Sequence, residues 1–111
     1  MPIFDTRALH AFAPAPGWEG RYFHTLNATF VHYRLAAGAS IHAHAHPNEE
    51  TWQVLAGELE ISVDAETRVA GPGFAAVVPP NTLHRVRALT DCEVIVTDSP
   101  RRTEIAGIPL P

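Results

Sequence analysis

Apolar and polar residues alternate with a period of two over much of the chain, which is the pattern of strands buried on one face. In Thr29-Phe30-Val31-His32-Tyr33-Arg34-Leu35 the residues Val31, Tyr33 and Leu35 share one face, and His32 and Arg34 share the other. Glu58-Leu59-Glu60-Ile61-Ser62-Val63 is the cleanest alternation, with Leu59, Ile61 and Val63 facing a core. Between these two runs, Ala36-Ala37-Gly38 turns into a strand carrying His42, His44 and His46. Alanine content there would also suit a helix, but Gly38 and Pro47 bracket it too tightly, and a helix would direct His44 away from His42 and His46. Glu50 to Ala56 forms the next strand, its parity setting Trp52 and Val54 inward and Gln53 outward.

Phe74 to Val78, His84 to Leu89 and Glu93 to Thr97 complete the strands, with His84 and Val86 inward and Arg85 and Arg87 outward. Turns fall at Asp64-Ala65-Glu66, Gly71-Pro72-Gly73 and Pro79-Pro80-Asn81. Short strands separated by turns at this spacing predict an all-β sandwich or barrel over residues 21–99. Residues 1–20, with Pro2, Pro14, Pro16 and Gly17, predict an extended arm, and residues 100–111 a C-terminal tail.

A chain of 111 residues fits one domain with a modest core. Its formal charge of −4 disfavours a nucleic-acid partner, because phosphate binding relies on a basic surface. All eight basic residues are arginines, so lysine Schiff-base chemistry is excluded. The single cysteine, Cys92, rules out an internal disulfide framework, and the acids Asp91 and Glu93 beside it argue against an activated thiol. With neither a secretory signal pattern nor an apolar run of spanning length, the expected setting is cytoplasmic, without membrane contact.

The chemistry concentrates in Gly38-x5-His44-x-His46-x3-Glu50-x6-Gly57 and Gly73-x5-Pro79-x-Asn81-x2-His84. Histidines two apart on a strand point the same way, and a bent chain after them can bring Glu50 to the same point. Three imidazoles and a carboxylate suit one divalent transition metal, whether iron, manganese, nickel, copper or zinc, rather than calcium or magnesium. An octahedral ion held by His44, His46, Glu50 and His84 would keep two positions for water, dioxygen or a substrate oxygen. The plainer alternative, four polar residues satisfied within a sheet, requires a hydrogen-bond network of its own.

At these residues the sequence resembles the cupin superfamily, whose motifs are written G-x5-H-x-H-x3,4-E-x6-G and G-x5-P-x-G-x2-H-x3-N. The first matches at every fixed position. The second matches at Gly73, Pro79 and His84, with Asn81 in place of glycine and Ala88 in place of the last asparagine. Asparagine tolerates positive φ, so the turn is preserved. The fifteen residues between Gly57 and Gly73 resemble the short inter-motif segment of small microbial cupins. The resemblance implies a cupin jelly-roll barrel with its metal near the middle, and pairing into a homodimer. The compact barrel and the tail Asp98-Ser99-Pro100-Arg101-Arg102 look most like the sugar-ring-opening cupins of pectin degradation, which act on unsaturated uronates. That group typically has glutamine where Glu50 stands and an acid where Val96 stands, leaving Asp98 as the nearby substitute.

Further candidates surround the ligand set. His42, with the parity of His44, Tyr33 and Asp98 are expected to move or donate protons. Trp52 would stack on a substrate ring, and Arg101 and Arg102 would capture a carboxylate at the barrel mouth. Glu49 is expected to face solvent, and His10, His24 and His32 to be surface or packing residues. The functional expectation is a metal-dependent enzyme on a small oxygenated metabolite, by isomerisation, lyase chemistry or ring opening with the ion as Lewis acid. An iron-dependent dioxygenase and a non-catalytic metal or ligand binder are the alternatives.

Overall fold

β-Branched and aromatic residues at every second position organise the chain into twelve short strands in the computed structural model, which describes residues 1–111. In order these are β1 (Ala11–Ala15), β2 (Trp18–His24), β3 (Thr29–Leu35), β4 (Ser40–His44), β5 (Glu49–Ala56), β6 (Leu59–Val63), β7 (Glu66–Ala70), β8 (Ala75–Val78), β9 (His84–Ala88), β10 (Cys92–Ser99), β11 (Glu104–Ile105) and β12 (Ile108–Pro109). The larger sheet has the order β1-β2-β3-β10-β5-β8 and the smaller β4-β9-β6-β7, with every pairing antiparallel. β11 and β12 make a separate hairpin.

The inner face of the larger sheet contributes Trp18, Val31, Tyr33, Leu35, Trp52, Val54, Val94 and Val96 to the core, and the smaller sheet contributes Leu59, Ile61, Val86 and Ala88. Tyr33 stacks on Trp52 with ring centroids 6.1 Å apart, and Trp18 meets both rings edge-on at 5.7 and 5.9 Å. Each such pair contributes about 1 kcal/mol beyond area burial. Val31, Tyr33 and Leu35 are buried as their alternation predicts, as are Trp52, Val54, Leu59 and Ile61.

Two motif positions depend on left-handed backbone. Gly57 has φ of 81°, and a Cβ there would lie 2.1 Å from the Asp91 carbonyl oxygen. Asn81 adopts φ of 59°, the conformation that its substitution for glycine was expected to preserve.

The structure departs from the sequence pattern in three places. Within residues 1–20, the first ten and the turn Pro16-Gly17 lie outside strands; Ala11–Ala15 pairs with β2, and Trp18 is 1% exposed in the core. β7 was not expected, because all of its residues but Ala70 are exposed and the segment carries no burial signal. The tail folds back rather than projecting: Ile105 and Leu110 are buried in the core, the Tyr22 hydroxyl donates to the Pro111 carbonyl at 3.2 Å, and the Leu110 N–H donates to the Thr103 carbonyl at 2.9 Å. Ile105 and Leu110 are therefore part of the chain's own core.

Candidate metal centre

The end of β4, the start of β9 and the start of β5 meet at one end of the barrel. His44 and His84 are direct cross-strand partners, whereas two residues further along β9 Val86 faces Ile41. Three steps on β4 therefore oppose two on β9, which is a β-bulge. The extra residue turns both Ile41 and His44 toward the interior, something strict alternation cannot do, and leaves His42 and Ala43 exposed. His42 thus does not share the environment that its parity with His44 predicts, although it borders the cavity mouth.

The three rings are oriented by their own loops. His44 Nδ1 lies 2.9 Å from the His42 carbonyl oxygen, His46 Nδ1 3.1 Å from that of Asn48, and His84 Nδ1 2.9 Å from that of Thr82. A carbonyl only accepts, so each Nδ1 carries a proton and each ring presents its Nε2 on the opposite side, the lone pair a metal takes when the ring is neutral. The ligand nitrogens of His44, His46 and His84 lie within 4.8 Å of one another. His46 Nε2 and His84 Nε2 are buried without a hydrogen-bond partner, although Glu50 oxygens stand 3.0 and 3.3 Å from them. Buried ring nitrogens facing a carboxylate need a proton or a metal ion between them, and three imidazoles with one carboxylate are a donor set that fits a divalent transition metal.

Glu50 is 4% exposed and accepts from the Trp52 indole N–H at 2.5 Å. Its cross-strand partner is Asp98, 1% exposed, with Oδ1 unpaired. The ligand atoms of His46, Glu50 and Asp98 also lie within 4.8 Å of one another. In the metal-free protein, burial followed by the charge of Glu50 pushes the Asp98 carboxyl well above the usual carboxylate range, with Arg102 opposing. Burial would raise Glu50 as well, but contacts with His46, His84, Asp98 and Trp52 outweigh it and hold Glu50 ionised. Of the pair, Asp98 keeps the proton. Burial, then the charges of Glu50 and Asp98, raise the Tyr33 hydroxyl far above its ordinary value, so it stays a donor. Burial lowers His44, favouring the neutral ring a metal requires. At His84 burial is the largest single influence and acts in the same sense, but the nearby Glu50 carboxylate and the Thr82 carbonyl together outweigh it and raise the ring.

These groups border a cavity of about 270 Å³ whose lining includes Tyr33, His42, His44, His46, Glu50, Trp52, Asp98 and Arg102. His84 does not line the cavity; its side chain is fully buried, 3.3 Å from Glu50. The two arginines separate: Arg102 borders the cavity with its side chain 12% exposed, 3.6 Å from Asp98 and 3.8 Å from Glu50, whereas Arg101 faces solvent and does not line it. Glu49 is exposed, as expected. Cys92 is buried against the Glu58 and Thr90 carbonyls, and burial raises its thiol.

Sequence reasoning missed the wall formed by Glu104, Ile105 and Ala106. A signal for it exists in Ile105-Ala106-Gly107-Ile108. Ala106 and Gly107 both adopt positive φ, 51° and 78°, and Ile105 pairs with Ile108, as in a two-residue hairpin turn.

A family model described as the cupin domain matches residues 31–99. The structure of KdgF from Halomonas sp. is 30% identical, with a TM-score of 0.85 over 92% of this chain and 96% of that one. An RmlC-like cupin from Shewanella frigidimarina is 24% identical, with a TM-score of 0.84 over 90% and 91%. Salicylate 1,2-dioxygenase from Pseudaminobacter salicylatoxidans, at 19% identity, shares the fold, with a TM-score of 0.74 over 78% of this chain and 27% of that one. No curated protein matches the chain. No helix is long and apolar enough to cross a membrane. The family match covers both halves of the donor set and most of the barrel: the chain belongs to the cupin family.

Proposed function

We propose that this cupin is a metal-dependent enzyme that isomerises, eliminates from or opens the ring of a small sugar acid or a related oxygenated acid. The observation that carries this reading is the clustering of the His44, His46 and His84 rings, each oriented through its Nδ1, with Glu50 3.0 and 3.3 Å from Nε2 of His46 and His84. The chemistry supplied by a divalent transition metal on His44, His46, Glu50 and His84 would be Lewis-acid polarisation of a substrate oxygen. The motif resemblance to sugar-ring-opening cupins favours a uronate.

The chain's own residues would do the rest. Arg102 has five guanidinium donors and only long contacts with Asp98 and Glu50, which suits capture of a substrate carboxylate. Asp98 holds a proton at its carboxyl beside the cavity and would pass it to the substrate or take it back. Tyr33 would donate to a ring oxygen, Trp52 would form an apolar wall against the ring, and His42 would meet substrate at the mouth. Two copies would pair through the outer face of the larger sheet, where Phe4 packs edge-on against Phe23, Phe23 stacks on Phe30, and Ile3 and Leu26 are exposed. Sedimentation at micromolar concentration tests that pairing, and a lone monomer would refute it.

The decisive test loads the protein separately with each candidate metal and follows unsaturated uronates, keto acids, flavonols and thiols by NMR, with an oxygen electrode in parallel. Uronate conversion without oxygen uptake is the expected outcome. Conversion coupled to oxygen uptake would make the protein a dioxygenase, and tight binding without turnover would make it a binding module.

A further inference from the structure

Arg102 and the wall Glu104–Ala106 border the cavity, yet neither belongs to the two main sheets. A row of polar residues links them to the barrel. His24, Thr29, Asp98 and Glu50 are successive cross-strand partners across β2, β3, β10 and β5. Thr29, Asp98 and Glu50 are 0, 1 and 4% exposed. Thr29 Oγ1 serves both its own strand pair and a segment 73 residues away. The Arg102 backbone N–H donates to it at 2.8 Å, and His24 Nδ1 lies 2.8 Å away. His24 Nε2 in turn lies 3.1 Å from the Leu110 carbonyl oxygen.

The proton directions follow from the chemistry. The Leu110 carbonyl can only accept, so Nε2 carries the imidazole proton and Nδ1 is an acceptor. The Thr29 hydroxyl therefore donates to Nδ1 while its oxygen accepts from the Arg102 N–H. This closed chain fixes the backbone of Arg102 and the far strand of the C-terminal hairpin to one point on the larger sheet. Neither His24 nor Thr29 lines the cavity.

We propose that His24 and Thr29 are positioning residues for acid recognition: through this chain they set where the Arg102 guanidinium stands and how closely Ile105 and Ala106 close the cavity. The inference rests on the proposed role of Arg102 as the carboxylate receptor. It assigns His24 a function that neither its position outside the metal motif nor its sequence context indicates.

The test uses the full chain loaded with Co²⁺, whose visible spectrum reports ligands entering its coordination sphere. It is titrated with galacturonate and with galactose, which differ in the carboxylate at C6. Wild type should prefer the acid, and Arg102→Ala should lose the preference. Thr29→Val, which replaces the hydroxyl by a methyl group, and His24→Phe should each weaken galacturonate binding about tenfold, the loss typical of one charge-assisted contact displaced. Galactose binding and Co²⁺ stoichiometry should not change. Thr29→Ser should restore the preference, and amide exchange at Arg102 and across the hairpin should quicken in Thr29→Val but not in Thr29→Ser. Unchanged acid preference and exchange in Thr29→Val and His24→Phe would overturn the positioning role while leaving Arg102 as receptor. A wild type blind to the carboxylate would overturn the receptor reading and this inference with it.

Discussion

The same strands build two ends of one barrel with opposite chemistry. Along the inward register of β3, Val31, Tyr33 and Leu35 give way to Thr29; along β10, Cys92, Val94 and Val96 give way to Asp98; along β9, Ala88 and Val86 give way to His84; and along β5, Val54 and Trp52 give way to Glu50. All of these residues are buried, so burial alone does not distinguish the ends. At the apolar end dispersion and desolvation make each contact self-sufficient. At the polar end every group needs a partner, and His46 Nε2, His84 Nε2 and Asp98 Oδ1 have none within the chain. The fold's stability therefore resides in one end and its binding capacity in the other, and perturbing each should move a different observable.

The largest effect belongs to the polar end. His84→Ala should lower metal affinity by more than the roughly hundredfold that loss of an outer-shell partner alone can cost, because a donor disappears. Calorimetric titration with Zn²⁺ checks this, and the variant should melt no lower than metal-free wild type by more than a few degrees. Val94→Ala should reverse the signature. Its side chain is fully buried, so removing two methyl groups should cost about 2 kcal/mol plus the cavity left behind, read by urea unfolding, with Zn²⁺ affinity unchanged.

A subtler contrast uses pH. In the metal-free protein Asp98 has a raised carboxyl pKa, so the native state binds more protons than the unfolded chain above the ordinary value near 4, and stability declines as pH rises through that window. Glu50 has a lowered pKa and acts oppositely, its contribution present above its ordinary value and lost as pH falls below it. Together they give metal-free wild type a stability maximum on the acid side of neutrality. Asp98→Asn keeps a neutral donor and removes the alkaline decline. It should be more stable than wild type at pH 8 by at least about 1 kcal/mol, a difference that shrinks toward pH 4. Urea unfolding across that range decides it, and parallel pH profiles would refute the assignment of the proton to Asp98.

How much of this was legible in the sequence follows the same division. The apolar end was readable because alternation is itself the cause of burial: Val31, Tyr33 and Leu35 had to face inward together. The clustering of His44, His46, Glu50 and His84 was readable from spacing, but not its construction. Strict parity would have carried His42 inward with His44, and only the bulge that turns Ile41 and His44 the same way exposes it. β7 was illegible because an edge strand with almost every residue exposed presents no periodic burial. Asp98 had a usable signal, lying two residues beyond Val96 in an inward register, yet its pairing with Glu50 depends on a strand neighbour far away in sequence. The hairpin wall required knowing that the chain turns back after the last barrel strand, a tertiary event marked locally by Ala106-Gly107 alone.

The smallest effect is also the sharpest control. Arg101 and Arg102 are adjacent, identical in chemistry and indistinguishable by composition, but the chain turns one outward and tethers the other through its backbone N–H to Thr29. Arg101→Ala removes an exposed charge that makes no ion pair with the acids at the site, so its stability change should stay within about 0.5 kcal/mol and galacturonate affinity should not change. Arg102→Ala leaves Asp98 and Glu50 without their cationic neighbour and should abolish the preference for the acid over galactose. Equal losses from the two substitutions would mean that net positive charge near the mouth, not a positioned guanidinium, attracts the acid. In that case the difference between solvated and tethered arginines would carry no functional weight.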